Sequence, residues 1–467
     1  LSGYCKLHII IFEIERNLGI TAIARIINLI LHGGNMKSYI EMSVAQLKEE
    51  REVVERRISE YKSMNLSLDM TRGKPSSEQL SISNCLFDNL ETKTNFKASD
   101  GFDCRNYGVP LGIPEVRNLF AEILNTSSSK IFVGNSSSLN MMFDTLMRSL
   151  VFGQHDSDKP WIQINNRKWL CPVPGYDRHF RITEDLGFEM INISMNSDGP
   201  DIDQIEKLVS EDESILGIWC IPCYSNPDGI VYSNEVCERL ASMKTKAKDF
   251  RIFWDNAYVV HHLYGDKDKQ GSIPDILSLC EKYGNASRVF EFASTSKVTF
   301  AGAGLACMAA NEENFEFSKK IMDAQTICSN KVNQLAHAVM LPDLDAVEVQ
   351  MQKHAEILRP KFELSLDILS RELDETNVVN WHKPLGGYFI SVFVYPNTAD
   401  RVVKMCKDIG VAFTPAGATY PYGKDPSDSN IRIAPSFPVV DDIEKAVTVF
   451  ALCAKLAAID KILEERA

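Results

Sequence analysis

Between about residue 130 and residue 310 the chain alternates short apolar runs with amphipathic helical segments, and no other feature limits its fold as much. The runs occupy residues 161–164, 215–221, 252–254 and 289–292, and the helical segments include 233–246. Apolar runs too short for helices, and without polar alternation, read as strands buried on both faces. Strands joined through helices lie mostly parallel, with helices covering both faces of the sheet. Ligands of such sheets bind beyond the carboxyl ends of the strands. The residues that follow each run are therefore where chemistry is expected.

Outside that stretch the pattern changes. Leu47, Val54, Ile58 and Tyr61 recur at helical spacing after Ser43, and Gln46 stands three residues on as a capping box. A second helix is expected over 114–124, with Pro114 in its first turn. Beyond residue 345 a long helix over 346–375, an alternating strand over 386–392 and a last helix over 441–463 form an α+β module. A chain of 467 residues is too long for one ordinary core. The expected division is 36–97 as the N-terminal part of a small domain, 98–344 as a large domain and 345–467 as the rest of the small one. Residues 1–35 open on Leu1 rather than Met and read as an upstream extension, with Met36 as the start. An amphipathic N-terminal helix is the alternative, and their apolar runs are too short to span a bilayer.

A net charge of -13 without a basic run opposes a phosphate backbone, so no nucleic-acid partner is expected, and no membrane partner. The twelve cysteines are scattered, mostly inside apolar runs, which points to reduced thiols and a cytoplasmic setting. Cys220 and Cys223 form a lone C-x-x-C, which cannot fill a tetrahedral metal site, and no metal is expected.

Four clusters stand in a fixed order: Pro174-Gly175-Tyr176, Asn226-Pro227, Asp255-Asn256-Ala257-Tyr258 and Ser294-Thr295-Ser296-Lys297. Each alone has an ordinary explanation as a cap, a turn or a solvated loop. Together, each after its own apolar run, they meet the needs of pyridoxal 5′-phosphate. A pyridine ring is an electron sink only while its nitrogen is protonated, and Asp255 can hold that proton. Asn226 and Tyr258 can donate to the ring oxygen, and Tyr176 can stack on the ring face. A desolvated Lys297 can carry the aldehyde as a Schiff base and later move a proton. The segment Gly134-Asn135-Ser136-Ser137-Ser138-Leu139 leads into a helix whose first amides suit a phosphate, with Ser294 across the site.

The same residues identify a resemblance. Residues 168–180, reading Lys-Trp-Leu-Cys-Pro-Val-Pro-Gly-Tyr-Asp-Arg-His-Phe, with Thr71-Arg72-Gly73-Lys74-Pro75 and Gly134-Asn135-Ser136-Ser137, resemble fold type I aminotransferases, most closely the type Ic aspartate aminotransferases. The resemblance runs from about Met36 to the C-terminus. It implies an α/β fold with a large, mostly parallel sheet domain and a smaller α+β domain, and amino acids and 2-oxo acids as substrates in a ping-pong exchange. It gives Arg432 to the substrate α-carboxylate, Gly73 to the substrate-facing backbone, and Asn135, Ser136, Ser137, Ser294 and Ser296 to the cofactor. It also sends Tyr107 to the phosphate of a neighbouring subunit, which implies a homodimer with shared sites.

Two departures accompany it. Relatives carry an arginine to the phosphate soon after the Schiff-base lysine, where this chain reads Ala301-Gly302-Ala303-Gly304-Leu305. The arginine that reads an aspartate side chain has no match near Cys328-Ser329-Asn330, leaving Arg72 and Lys331 as candidates. The competing functions are a lyase or another transaminase on the same scaffold, and a cofactor-binding regulator. A regulator of that kind carries a basic helix-turn-helix module, which residues 1–60 lack.

Overall fold

The computed structural model describes residues 38–88 and 90–467, so the expected extension over 1–35 lies outside the described residues. The central sheet has eight strands. In spatial order they are Ile131–Val133, Ala306–Ala310, Val289–Ser294, Arg251–Asp255, Ile215–Cys220, Lys168–Val173, Glu189–Asn196 and Gly199–Pro200. The five from Val289–Ser294 to Glu189–Asn196 run parallel. Ala306–Ala310 runs against both its neighbours, and Gly199–Pro200 closes the far edge antiparallel. Strands Ile215–Cys220 and Arg251–Asp255 are buried at every position, as strands covered on both faces must be.

The run over 161–164 is not a strand. Pro160 leads it into a 3₁₀ turn, Trp161–Gln163, and the indole of Trp161 is buried against Trp169 and Phe188 while its Nε1 donates to Asp249 at 2.8 Å. Only Trp161 of the run is buried, and Ile162 is 59% exposed. The strand ahead of Tyr176 is Lys168–Val173 instead. The helix expected over 233–246 spans Asn234–Ser242, with Ser233 as its cap. The strand expected over 386–392 covers only Ile390–Phe393, because Gly387 sits at φ +80 and breaks the extended run.

A second, smaller layer forms from both ends of the chain. Strands Asn380–Trp381, Ile390–Phe393 and Asn430–Ile433 make an antiparallel sheet in which Ser391 faces Arg432 across the ladder. Helices Val44–Ser63, Leu344–Leu373, Ala399–Ile409 and Val440–Glu465 surround it. The N-terminal piece is tied in where Leu68–Asp69 pairs with Val411–Ala412. Each layer has its own apolar core. Ile221, Tyr224 and Tyr258 follow strands of the large sheet yet pack into the smaller core. The carboxyl ends of the parallel strands therefore open onto the seam between the two.

Candidate active site

Asp255 ends its strand with 3% of its surface exposed. Its Oδ2 lies 3.1 Å from Nε2 of His179, itself buried and stacked on Trp219 at 4.3 Å. Asp255 Oδ1 is buried without a partner. A carboxylate oxygen left so is costly unless something else bonds to it. His179, in helix Asp177–Asp185 just after Tyr176, is a partner that sequence reasoning missed, since nothing local joins it to a residue 76 positions away.

Lys297 follows the neighbouring strand, its Nζ 4.9 Å from the ring centre of Tyr258 and 5.8 Å from that of Tyr388. Desolvation in the seam draws its ammonium pKa down, with the Asp255 carboxylate opposing. Beside it, His261 packs edge-on against Tyr258 and Tyr388, both ring nitrogens unpaired. Burial first, and then the charge of Lys297, hold this imidazole neutral. Tyr258 is buried and its phenol is pushed well above the ordinary value by desolvation; burial likewise raises Tyr176 to about 12. Tyr176 stands edge-on to His179 at 5.0 Å.

Arg432 lies in strand Asn430–Ile433, 7% exposed between the buried Ile431 and Ile433. Its Nη1 donates to Asn226 Oδ1 at 3.2 Å and to Asp177 Oδ1 at 3.1 Å, and its guanidinium lies 4.7 Å from the ring centre of Phe389. Gly73 is pressed onto that ring: a Cβ there would fall 2.4 Å from Phe389. So Gly73, Phe389, Arg432 and Asn226 form one stack, although they come from four distant stretches of chain.

The serine-rich loops also meet. Ser294 Oγ donates to Ser296 Oγ at 3.0 Å, and Ser296 Oγ donates to the Ser136 carbonyl at 3.3 Å. Asn135 and Ser136 are exposed, and Ser137 caps helix Ser138–Phe152 without a side-chain bond to its amides, which leaves them open to an anion. The Gly304 backbone approaches closely: a Cβ there would stand 3.1 Å from the Ser136 carbonyl. Among the described residues no cationic side chain bonds to Ser136, Ser294 or Ser296, so the phosphate's counter-charge is not found in this loop.

Three expected residues stand apart. Tyr107 is 74% exposed. Arg72 is exposed next to Gly73. Lys331 is buried, its Nζ against the ring of Phe102 at 5.7 Å, so it lies with the Phe102 loop rather than in the Arg432 stack.

These residues suit pyridoxal 5′-phosphate: an unpartnered carboxylate oxygen for a protonated ring nitrogen, neutral donors beside it, a desolvated amine and an uncapped helix start. Comparison with known proteins agrees. An aspartate aminotransferase of Corynebacterium glutamicum is 46% identical over 431 residues, 91% of this chain and 99% of that protein. The crystal structure of an aspartate transaminase from the same species superposes with a TM-score of 0.88 at 45% identity, covering 91% of this chain and 99% of that one. The fold alone is shared with an α-aminoadipate aminotransferase of Thermus thermophilus, complexed with N-(5′-phosphopyridoxyl)-L-leucine, at a TM-score of 0.66 and 17% identity over 92% of this chain and 97% of that one. The family model described as aspartate amino-transferase matches residues 42–466, and the chain belongs to that family: it is an aminotransferase of fold type I that uses pyridoxal 5′-phosphate.

Proposed function

We propose that this aminotransferase moves the amino group of L-aspartate to 2-oxoglutarate, with Lys297 as the proton carrier and Arg432 as the holder of the substrate α-carboxylate. The observation that carries this reading is the convergence of Asp255, Lys297 and Arg432 at one seam, each with an unmet or desolvated polar group. The aspartate activity named for the Corynebacterium relative supports the choice of substrate.

Bound cofactor supplies an electron sink that makes the Cα–H bond of an amino acid acidic. The chain does the rest. Asp255, bonded to His179, would hold the ring-nitrogen proton. Asn226 and Tyr258 would donate to the ring oxygen, and Tyr176 would stack on the ring. Lys297, its ammonium pKa drawn down by desolvation, would take the proton from Cα and deliver it to the cofactor carbon on the far side of the amino nitrogen. The Nε–Nη2 edge of Arg432 offers the bidentate fork that a carboxylate needs. Amino acids and 2-oxo acids share that carboxylate, so one site serves both halves of the exchange.

Arg72 is our assignment for the distal carboxylate, since it stands beside Gly73 and forms no side-chain hydrogen bond of its own among the described residues. Tyr107 completes the phosphate site of a second copy, and the working unit is a homodimer. The cysteines support a cytoplasmic setting, every described one being a free thiol. No helix of the described residues is long and apolar enough to cross a membrane.

The test is kcat/KM for aspartate and for alanine, each with 2-oxoglutarate. Arg72→Ala lowers the aspartate value by about two orders of magnitude, on a ~3 kcal/mol charged contact, and spares alanine. Lys331→Ala lowers both alike, as a packing residue does. A wild type that ignores aspartate overturns the substrate; equal losses in Arg72→Ala overturn the role of Arg72.

A further inference from the structure

Arg432 is already engaged before any substrate arrives. Asp177 Oδ1 and Asn226 Oδ1 share its Nη1, Phe389 covers one face, and Nε is buried without a partner. The two members of the ion pair differ in setting. The Arg432 side chain is 7% exposed, whereas that of Asp177 is 36% exposed. Asp177 is the first residue of helix Asp177–Asp185, directly after Tyr176, and the helix start favours its negative charge.

We propose that Asp177 sets carboxylate affinity: it is a carboxylate built into the α-carboxylate subsite, holding the Nη1 side of Arg432 and setting how tightly a ligand carboxylate binds the other side. The inference rests on the reading of Arg432 given above. One guanidinium neutralises one carboxylate. A ligand carboxylate on the Nε–Nη2 edge leaves two anions on a single cation, with water reaching Asp177 and damping their repulsion. At an effective dielectric of about 20, that repulsion weakens binding by roughly tenfold or more.

Its effect has a defined kinetic form. The repulsion acts on amino acid and oxo acid alike, and on bound substrate as much as on the transition state. It therefore raises Kd and KM without helping the chemical step. In an exchange that must release one oxo acid and admit another through the same subsite, weaker carboxylate binding speeds release. Asn226 shares the same Nη1 and keeps the guanidinium oriented while the ligand enters.

Asp177→Asn separates charge from position, because the amide oxygen still accepts from Nη1. The experiment measures Kd for succinate, a dicarboxylate that cannot react, by calorimetry on cofactor-loaded enzyme whose absorbance shows the site filled. The expected result is about tenfold tighter succinate in Asp177→Asn, with Asp177→Ser also tighter and Asp177→Glu close to wild type. The KM for aspartate falls in parallel, and kcat does not rise. Unchanged or weaker succinate binding in both Asp177→Asn and Asp177→Ser overturns the proposal. Wild-type succinate binding in Arg432→Gln is a different failure: it removes Arg432 from the subsite, and with it the reading on which this one stands.

Discussion

At the scale of single residues, the large sheet holds a carboxyl group that the reaction does not use. Glu291, in the strand that leads to Lys297, is 2% exposed; Asn256 Nδ2 donates to its Oε1 at 2.6 Å and Oε2 has no partner. Burial, and then the Asp275 charge, raise its pKa from 4.5 to about 8. A raised carboxyl binds more protons folded than unfolded between those values. Stability is full below about pH 4.5 and falls as pH climbs toward 8. Glu291→Gln keeps the acceptor for Asn256 and removes the ionisation. Its melting temperature should match wild type near pH 5 and exceed it near pH 8, by an amount on the order of 2 kcal/mol in stability. A gap that stays constant with pH would show that Glu291 is not what titrates. The same scale explains what could be read in advance. Asp255, Asn226, Tyr258 and Lys297 each follow an apolar run, so local pattern exposes them. Asp177 meets Arg432 across 255 positions, and His261 and Phe389 act through rings whose neighbours only folding selects. No spacing rule marks such contacts.

Among the elements, helices were more legible than strands. The capping box of Ser43 and Gln46 forms as its residues predict, opening helix Val44–Ser63, because both partners lie within four residues. The run over 161–164 misled because only Trp161 in it is buried, and it sits in a 3₁₀ turn after Pro160. What no helix discloses alone is how three of them are fastened. Arg57 of Val44–Ser63 grips Glu372 of Leu344–Leu373 with two bonds, 2.8 and 2.9 Å, and Lys455 of Val440–Glu465 adds a third at 3.1 Å. Burial raises the Glu372 pKa, but the two cations outweigh it and hold the group down at about 2. Here the sign is opposite to Glu291: the contribution is present above about pH 4.5 and is lost as pH falls toward 2. Glu372→Gln should lower stability at pH 7 by about 2 kcal/mol, discounted for the exposure of Arg57. In acid the deficit against wild type should shrink, and denaturant melts at pH 7 and pH 3 check both statements. A deficit that persists undiminished at pH 3 would trace the loss to packing.

The whole molecule carries a surface that a lone subunit does not explain. Phe143, Met147 and Val151 stand four residues apart on helix Ser138–Phe152, 36%, 39% and 47% exposed, with Phe152 at 54%. A stripe at that spacing is one helix face, and an exposed apolar face of this kind marks a contact surface. The helix is capped by Ser137, in the loop proposed to hold the phosphate, so a second copy seated on this face would approach the site. The α/β class could be read from the alternation of runs and helices, because each strand's burial is written in its own residues. The proposed partner surface could not, since an apolar position is equally at home inside a subunit or between two. Tyr107, exposed in its own subunit, is the residue that separates those cases. If it serves the neighbour's phosphate, Lys297→Ala and Tyr107→Phe subunits fail for different reasons, each in a site that needs one group from each chain. In a mixed dimer, the Tyr107→Phe subunit keeps its own Lys297 and receives an intact Tyr107 from its partner, while the other site carries both lesions. Half of the sites in that dimer should therefore work at the wild-type rate. The measurement is aspartate turnover in hetero-tagged dimers purified through both tags, set against each parent homodimer. Val151→Glu places a charge in the proposed contact, so sedimentation should show monomers, and mixing those subunits should restore nothing. Activity in the mixed dimer no greater than the mean of its parents would mean that Tyr107 acts, if at all, within its own chain.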